Sequence, residues 1–256
     1  MQYRTLGTRV TDKVSALGFG CMRFPRTADE DKRIDRDESA RMLDYAVDAG
    51  VNYLDTAWPY HGGESEEFLG EYLAKRHRKE LLLATKLPVW EVKEESDLDR
   101  IFAKQLEKLQ TDYIDFYLLH ALDKGRIDTI KNLKMIEWGE EQKRAGRIRY
   151  FGFSFHDELP VFKQLIDLYN GWDFCQIQYN YMNEAVQAGT EGLRYAVERG
   201  IGVVVMEPLL GGALAEVPDA VRAVFSPTPG DGSSPVAPGR SSPVAPGRSS
   251  LATPKG

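Results

Sequence analysis

The chain has 256 residues, 42% of them apolar and 28% charged, the composition of a folded domain large enough for one barrel-sized core. Its 33 basic against 39 acidic residues leave a net charge of −6, which argues against a nucleic-acid partner, and no lysine or arginine block offers a grip on anionic lipid. No apolar run reaches the ~20 residues of a membrane span, Met1-Gln2-Tyr3-Arg4-Thr5 lacks a signal peptide's apolar region, and two distant cysteines, Cys21 and Cys175, exclude a disulfide scaffold and a cysteine-held zinc or iron–sulfur cluster. The expectation is a soluble, cytoplasmic protein with no nucleic acid and no membrane among its partners.

From the N-terminus, Tyr3-Arg4-Thr5-Leu6, the turn Gly7-Thr8 and Lys13-Val14 predict a small β-hairpin, suited to plug the bottom of a barrel. Seven short apolar runs come next, at 16–20, 51–55, 81–85, 114–119, 149–153, 174–177 and 201–206. They are continuous rather than alternating, as in strands buried on both faces of a parallel sheet. Helical stripes lie between them. Leu43, Ala46 and Val47 precede a stop at Gly50, and Leu98, Ile101, Gln105 and Leu109 follow Ser96 and Asp97 as capping candidates. Leu159, Phe162, Leu165, Ile166 and Tyr169 form another stripe, and Leu193, Ala196 and Val197 form the last before Gly200. Such alternation means repeated βαβ units.

An open doubly wound sheet and a closed barrel both fit that pattern. After the first run, Gly18-Phe19-Gly20 starts a dinucleotide fingerprint, but Arg23 stands where its third glycine belongs. Seven runs also approach the barrel's eight, so the fold expected is α/β, a (β/α)8 TIM-type barrel. Composition then breaks near Phe225. Residues 226–256 hold seven of the thirteen prolines, seven serines and five glycines, with SSPVAPGR in tandem at 233–240 and 241–248. That segment cannot bury apolar surface, so a disordered repeat tail is expected. No eighth apolar run precedes it. The reading is therefore an incomplete barrel over residues 1–225, truncated after its seventh strand.

In such a barrel, chemistry sits where strands run into βα loops. The second run ends at Asp55 and its loop carries Tyr60; the third ends at Lys86 and the fourth at His120. Each alone has an ordinary structural explanation, as a helix cap, a solvated lysine, a loop aromatic or a satisfied histidine. Ionisable residues finishing consecutive apolar strands on one rim are harder to explain by stability. A phenol's pKa of ~10 is too high for an efficient proton donor near neutrality. A nearby ammonium lowers it, and a carboxylate such as Asp55 keeps that ammonium charged. His120 can then direct the substrate oxygen. Together they make a general acid for carbonyl reduction. The four histidines show no H-x-x-x-H spacing, and Glu64, Glu66 and Glu67 read as the first turn of a helix, so no metal is expected.

With those residues in place the chain resembles the aldo-keto reductase superfamily. The likeness is carried by Gly50-Val51-Asn52-Tyr53-Leu54-Asp55-Thr56-Ala57 with Tyr60, by Ala84-Thr85-Lys86, by Thr111-Asp112-Tyr113-Ile114-Asp115-Phe116-Tyr117-Leu118-Leu119-His120 and by Gly146-Arg147-Ile148-Arg149-Tyr150-Phe151-Gly152-Phe153-Ser154. It implies NADP, or NAD, as cofactor, a small-molecule carbonyl substrate, and Tyr60 as proton donor tuned by Lys86 and Asp55. It further implies that Ser154 and Gln176 hold the nicotinamide carboxamide, that Met206 stacks on its ring, and that Leu209 and Gly211 begin the pyrophosphate loop. Phe155-His156 follows Ser154 where the family commonly has Asn, a variant similar to a bacterial and archaeal branch. Members of that branch often add a cysteine cluster absent here. The function expected is NAD(P)H-dependent reduction of an aldehyde or ketone. A cofactor-binding regulatory subunit and an inactive fragment remain as alternatives, and the oligomeric state is open.

Overall fold

The computed structural model describes residues 1–28, 32–76, 78–219 and 221–222. Strands β1 (Tyr3–Thr5) and β2 (Lys13–Ser15) pair antiparallel with Arg4 opposite Val14, which is the expected hairpin. The seven apolar runs become β3 (Phe19–Gly20), β4 (Tyr53–Asp55), β5 (Leu82–Leu87), β6 (Ile114–Leu122), β7 (Ile148–Phe155), β8 (Phe174–Gln178) and β9 (Gly202–Met206). They form one parallel sheet in sequential order, curled into a half-barrel, and β3 and β9 do not pair with each other among the described residues.

Two boundaries differ from expectation for local reasons. β6 runs past Leu119 to Leu122, with its register against β7 shifting between those residues, so His120 lies within the strand. β3 is shorter than the run 16–20, because Ser15 Oγ turns back onto the Leu17 carbonyl.

Helices α1 (Arg36–Asp48), α2 (Glu64–Leu73), α3 (Ser96–Leu109), α4 (Ile127–Asn132), α5 (Met135–Arg144), α6 (Leu159–Leu168) and α7 (Gly189–Glu198) alternate with the strands. Asp35 caps α1 by accepting from the Glu38 amide at 3.0 Å, and Gly50 ends it with φ +93°, where a side chain would be strained. α3 buries Leu98, Ile101, Gln105 and Leu109 as its stripe predicts. Asp97 does not cap it. Its Oδ2 instead accepts from the Lys93 and Glu94 amides of the preceding loop.

The apolar core lies in two layers, which explains why the strand runs are continuous. Outward-facing Leu83, Tyr117, Leu119, Phe151, Phe153, Cys175 and Ile177 pack under the helices. Inward-facing Tyr53, Leu82, Ala84, Phe116, Leu118, Tyr150 and Phe174 close on Val10 and Val14 of the hairpin. The hairpin therefore plugs the concave side, as expected. The compact unit runs from Met1 to Leu214. Beyond it, the Val221 and Arg222 amides donate to Pro218 O at 2.9 Å, the single helix start read there. The proposed end of the barrel at 225 and the repeat tail at 226–256 lie outside the described residues.

Candidate active site

Strand periodicity selects the site. Successive side chains alternate faces, so Lys86 shares its face with Ala84 and Leu82, His120 with Leu118 and Phe116, and Gln176 with Phe174. Each inner row is apolar at the plugged end and polar at its C-terminal rung. Gly152 sits on the inner row of β7 because a Cβ there would come within 2.2 Å of the Phe174 carbonyl. Its neighbour on that row, Ser154, reaches the rim opposite Gln176.

The rungs meet around the Lys86 ammonium. Buried Lys86 Nζ donates to Asp55 Oδ1 at 2.7 Å, to Thr56 O at 2.8 Å and to the Tyr60 hydroxyl at 3.3 Å. It also lies 4.9 Å from the Tyr60 ring centroid. The other Asp55 oxygen accepts from Gln176 Nε2 at 3.1 Å. Tyr60 is delivered by a tight turn, Tyr60–Gly63, with left-handed backbone at His61, Gly62 and Gly63, which accounts for the Gly-Gly pair. The His61 ring locks that turn by accepting from the Phe24 amide at 3.1 Å. His120 stands edge-on to Tyr60, ring centroids 6.2 Å apart, and 5.1 Å from the ring of Trp90.

The electrostatics assign protonation states. Burial works against the Lys86 charge, but Asp55 and Tyr60 outweigh it and raise its pKa, so the ammonium persists. Burial drives His120 down to about 2, assisted by the Lys86 and Arg126 charges, so its imidazole is neutral. Tyr60 corrects the sequence expectation. Burial raises its pKa, and Lys86 opposes that rise without reversing it, so the phenol keeps its proton. The ammonium thus lowers the cost of removing that proton without ionising the phenol in advance.

Ser154 Oγ accepts from the Ala121 amide at 2.7 Å, where Ala121 is held at φ +54°. Among the described residues the Ser154 hydroxyl proton and Gln176 Oε1 have no protein partner. One free donor and one free acceptor on paired rungs match a primary carboxamide, so these two residues fit a nicotinamide. Met206 lies half-buried one strand further, opposite Gln178, with Leu209 exposed beyond it. Gly211 has φ +68°, and a Cβ there would come within 3.0 Å of an Arg23 guanidinium nitrogen. Met206, Leu209 and Gly211 make no hydrogen bond to the Asp55–Tyr60–Lys86–His120 group among the described residues.

Residues 16–231 match the aldo/keto reductase family. The chain belongs to that family. It is 33% identical over 227 residues to the uncharacterized oxidoreductase YqkF of Bacillus subtilis, covering 85% of this chain and 68% of that protein. It is 28% identical to L-galactose dehydrogenase of Arabidopsis thaliana, over 80% of this chain and 64% of the relative. Among solved structures, the holo form of aldo-keto reductase AKR11C1 from Bacillus halodurans matches with a TM-score of 0.69 and 32% identity, covering 85% of this chain and 70% of the other.

In this aldo/keto reductase family member, several residues near the site have no role assigned by sequence reasoning. Glu66, expected as a first-turn acid, is fully buried behind Lys86; its Oε1 accepts from Thr85 Oγ1 and from Gln105 Nε2, both at 2.7 Å. Gln105 also donates to the Lys86 carbonyl at 3.0 Å. A glutamine inside an apolar helical stripe was the available signal. Trp90 and Arg23 follow strand ends and carry no local pattern that marks them. Among the described residues no group of three His, Cys, Asp or Glu is arranged to hold a metal, and no helix is long and apolar enough to cross a membrane.

Proposed function

We propose that this chain is an NAD(P)H-dependent oxidoreductase that reduces a small aldehyde or ketone to its alcohol in the cytoplasm, with Tyr60 as general acid. One observation carries the reading: a single buried ammonium bonded at once to the Asp55 carboxylate and the Tyr60 hydroxyl. A nicotinamide dinucleotide, NADP or NAD, bound along Ser154, Gln176, Met206, Leu209 and Gly211 supplies hydride chemistry at the carbonyl carbon. Neutral His120 directs the carbonyl oxygen toward Tyr60. The Tyr60 hydroxyl gives its proton to that oxygen as negative charge grows there. Lys86, 3.3 Å away, takes up the phenolate charge, and Asp55 keeps Lys86 cationic throughout.

The test is turnover of a generic aldehyde with NADPH or NADH, with Tyr60→Phe as control. General acid catalysis contributes about 10²–10⁴-fold, so the variant should lose at least about a hundredfold in kcat while still binding nucleotide. An active Tyr60→Phe protein would remove the general-acid assignment. Nucleotide binding without turnover in the parent chain would favour the regulatory-subunit reading.

A further inference from the structure

Beside the catalytic group, between the loop after β5 and helix α4, lies a solvent-facing cavity of about 520 Å³, within the usual range of small-molecule sites. Trp90 and Leu133 supply apolar wall, while Lys93, Arg126, Thr129 and Asn132 supply its polar groups, and no carboxylate lines it. Trp90 belongs to both places. Its ring centroid lies 5.1 Å from that of His120 and 5.9 Å from the Arg126 guanidinium.

Arg126 is fixed in place. One terminal nitrogen donates to Ala121 O at 2.6 Å and pairs with Asp123, whose Oδ1 also accepts from the Arg126 amide. Its Nε and second terminal nitrogen have no partner among the described residues. Lys93 Nζ is pinned by the Trp90 carbonyl at 2.6 Å and has no carboxylate partner among the described residues. With Asp123 counted against Arg126, Lys93 leaves the cavity positive. The side chains of Thr129 and Asn132 are likewise without bonds among the described residues. Fixed, unsaturated donors around an aromatic wall suit an anion carried on a flat apolar body.

We propose that this cavity receives the remote end of the carbonyl substrate, and that this end is a carboxylate separated from the carbonyl by about one aromatic ring stacked on Trp90. The assignment deepens the reading of Asp55, Tyr60, Lys86 and His120 as a carbonyl-reducing site and rests on it for the word substrate.

Two aldehydes of equal shape test it: 4-formylbenzoate and its uncharged methyl ester. Each is titrated calorimetrically without nucleotide and assayed with NADPH. A hydrogen bond to a charged group is worth about 1.5–3 kcal/mol, so the acid should bind at least about tenfold tighter than the ester and show a similar advantage in kcat/KM. Arg126→Met should bring both ratios close to one. Lys93→Met, on an exposed loop, should lower them about threefold even if the Arg126 variant folds poorly. Turnover of both aldehydes with no preference for the acid overturns the cavity assignment and leaves the catalytic one standing. Preferential binding of the acid, lost in the variants, without turnover sustains the cavity and overturns the catalytic reading. No preference in either experiment overturns the proposal outright.

Discussion

Glu66 shows how a site can depend on a residue that never reaches it. It sits in the first turn of α2, just after the turn bearing Tyr60, and bonds Thr85, the strand neighbour of Lys86. Helix α2 and strand β5 are thereby tied at the level where the Tyr60 hydroxyl and Lys86 Nζ must approach. Burial raises the Glu66 pKa despite bonds from Gln105 and Thr85, so its carboxylate is held at some cost. Glu66→Ala should remove the buried acceptor of the Thr85 hydroxyl and of one Gln105 N–H, the other still donating to the Lys86 carbonyl, and destabilise the fold by about 3 kcal/mol. Glu66→Gln keeps an acceptor for both and should lose about half of that or less. Urea denaturation gives the order; equal losses would show that the acceptor is irrelevant. The difference between Glu66 and Lys86 is also the difference in what a sequence reveals. Lys86 ends an apolar strand, where a charge stands out. Glu66 opens a helix, where an acid is favoured by the dipole and so unremarkable, and only its partner Gln105, polar within an apolar stripe, hints at burial. Gln176 and Ser154 are legible only through the family likeness, since a polar residue in a buried strand does not by itself say which neighbour it serves.

At the scale of elements, the hairpin is held by a polar latch as well as by Val10 and Val14. Asp12, in its loop, accepts from the Tyr150 hydroxyl at 2.7 Å and pairs with Arg149, whose other branch reaches buried Asp115 at 2.7 Å. Thr11 also meets the Tyr150 hydroxyl, at 3.0 Å. Asp12→Ala should therefore weaken the plug without freeing Arg149 entirely, costing about 1–2 kcal/mol. Faster tryptic cleavage at Arg9 and Lys13 is the expected sign, and unchanged cleavage would mean that the apolar contacts suffice. The hairpin and all seven sheet strands are legible in the sequence because two-sided burial writes continuous apolar runs, and a turn between short strands writes its own signal. Element ends are less legible. Asp97 serves as a loop clasp rather than a helix cap, and Val197, expected in the α7 stripe, is 56% exposed. In both cases the local pattern is right and a competing contact, or the lack of a covering neighbour, decides the outcome.

Across the whole molecule, buried ionisable groups give stability a definite pH window. His120 and His61 have pKa values lowered from 6.5, in both cases chiefly by burial. The unfolded chain therefore binds these protons first, and stability falls as pH drops below about 6.5. For His120, depressed to about 2, that loss continues through the acid range, at about 1.4 kcal/mol per pH unit once the unfolded imidazole is protonated. Glu66 and Asp173, whose pKa values burial raises, act in the opposite sense, because the folded chain takes up their protons first. On the alkaline side burial raises both cysteines from 9.0, so the unfolded chain ionises first and stability falls above about pH 9. Calorimetric Tm should thus hold a plateau between these limits and decline on both sides. His120→Gln should flatten the acid limb between pH 6.5 and 5.5, where the unfolded histidine takes its proton and the unfolded carboxyls have not. Cys175→Ala should flatten the alkaline limb. A Tm that rises from pH 7 to pH 5.5 would mean that Glu66 and Asp173 outweigh these two histidines. An acid limb equally steep in the His120 variant would mean that this imidazole is open to protonation in the folded chain, and so able to enter catalysis as a cation.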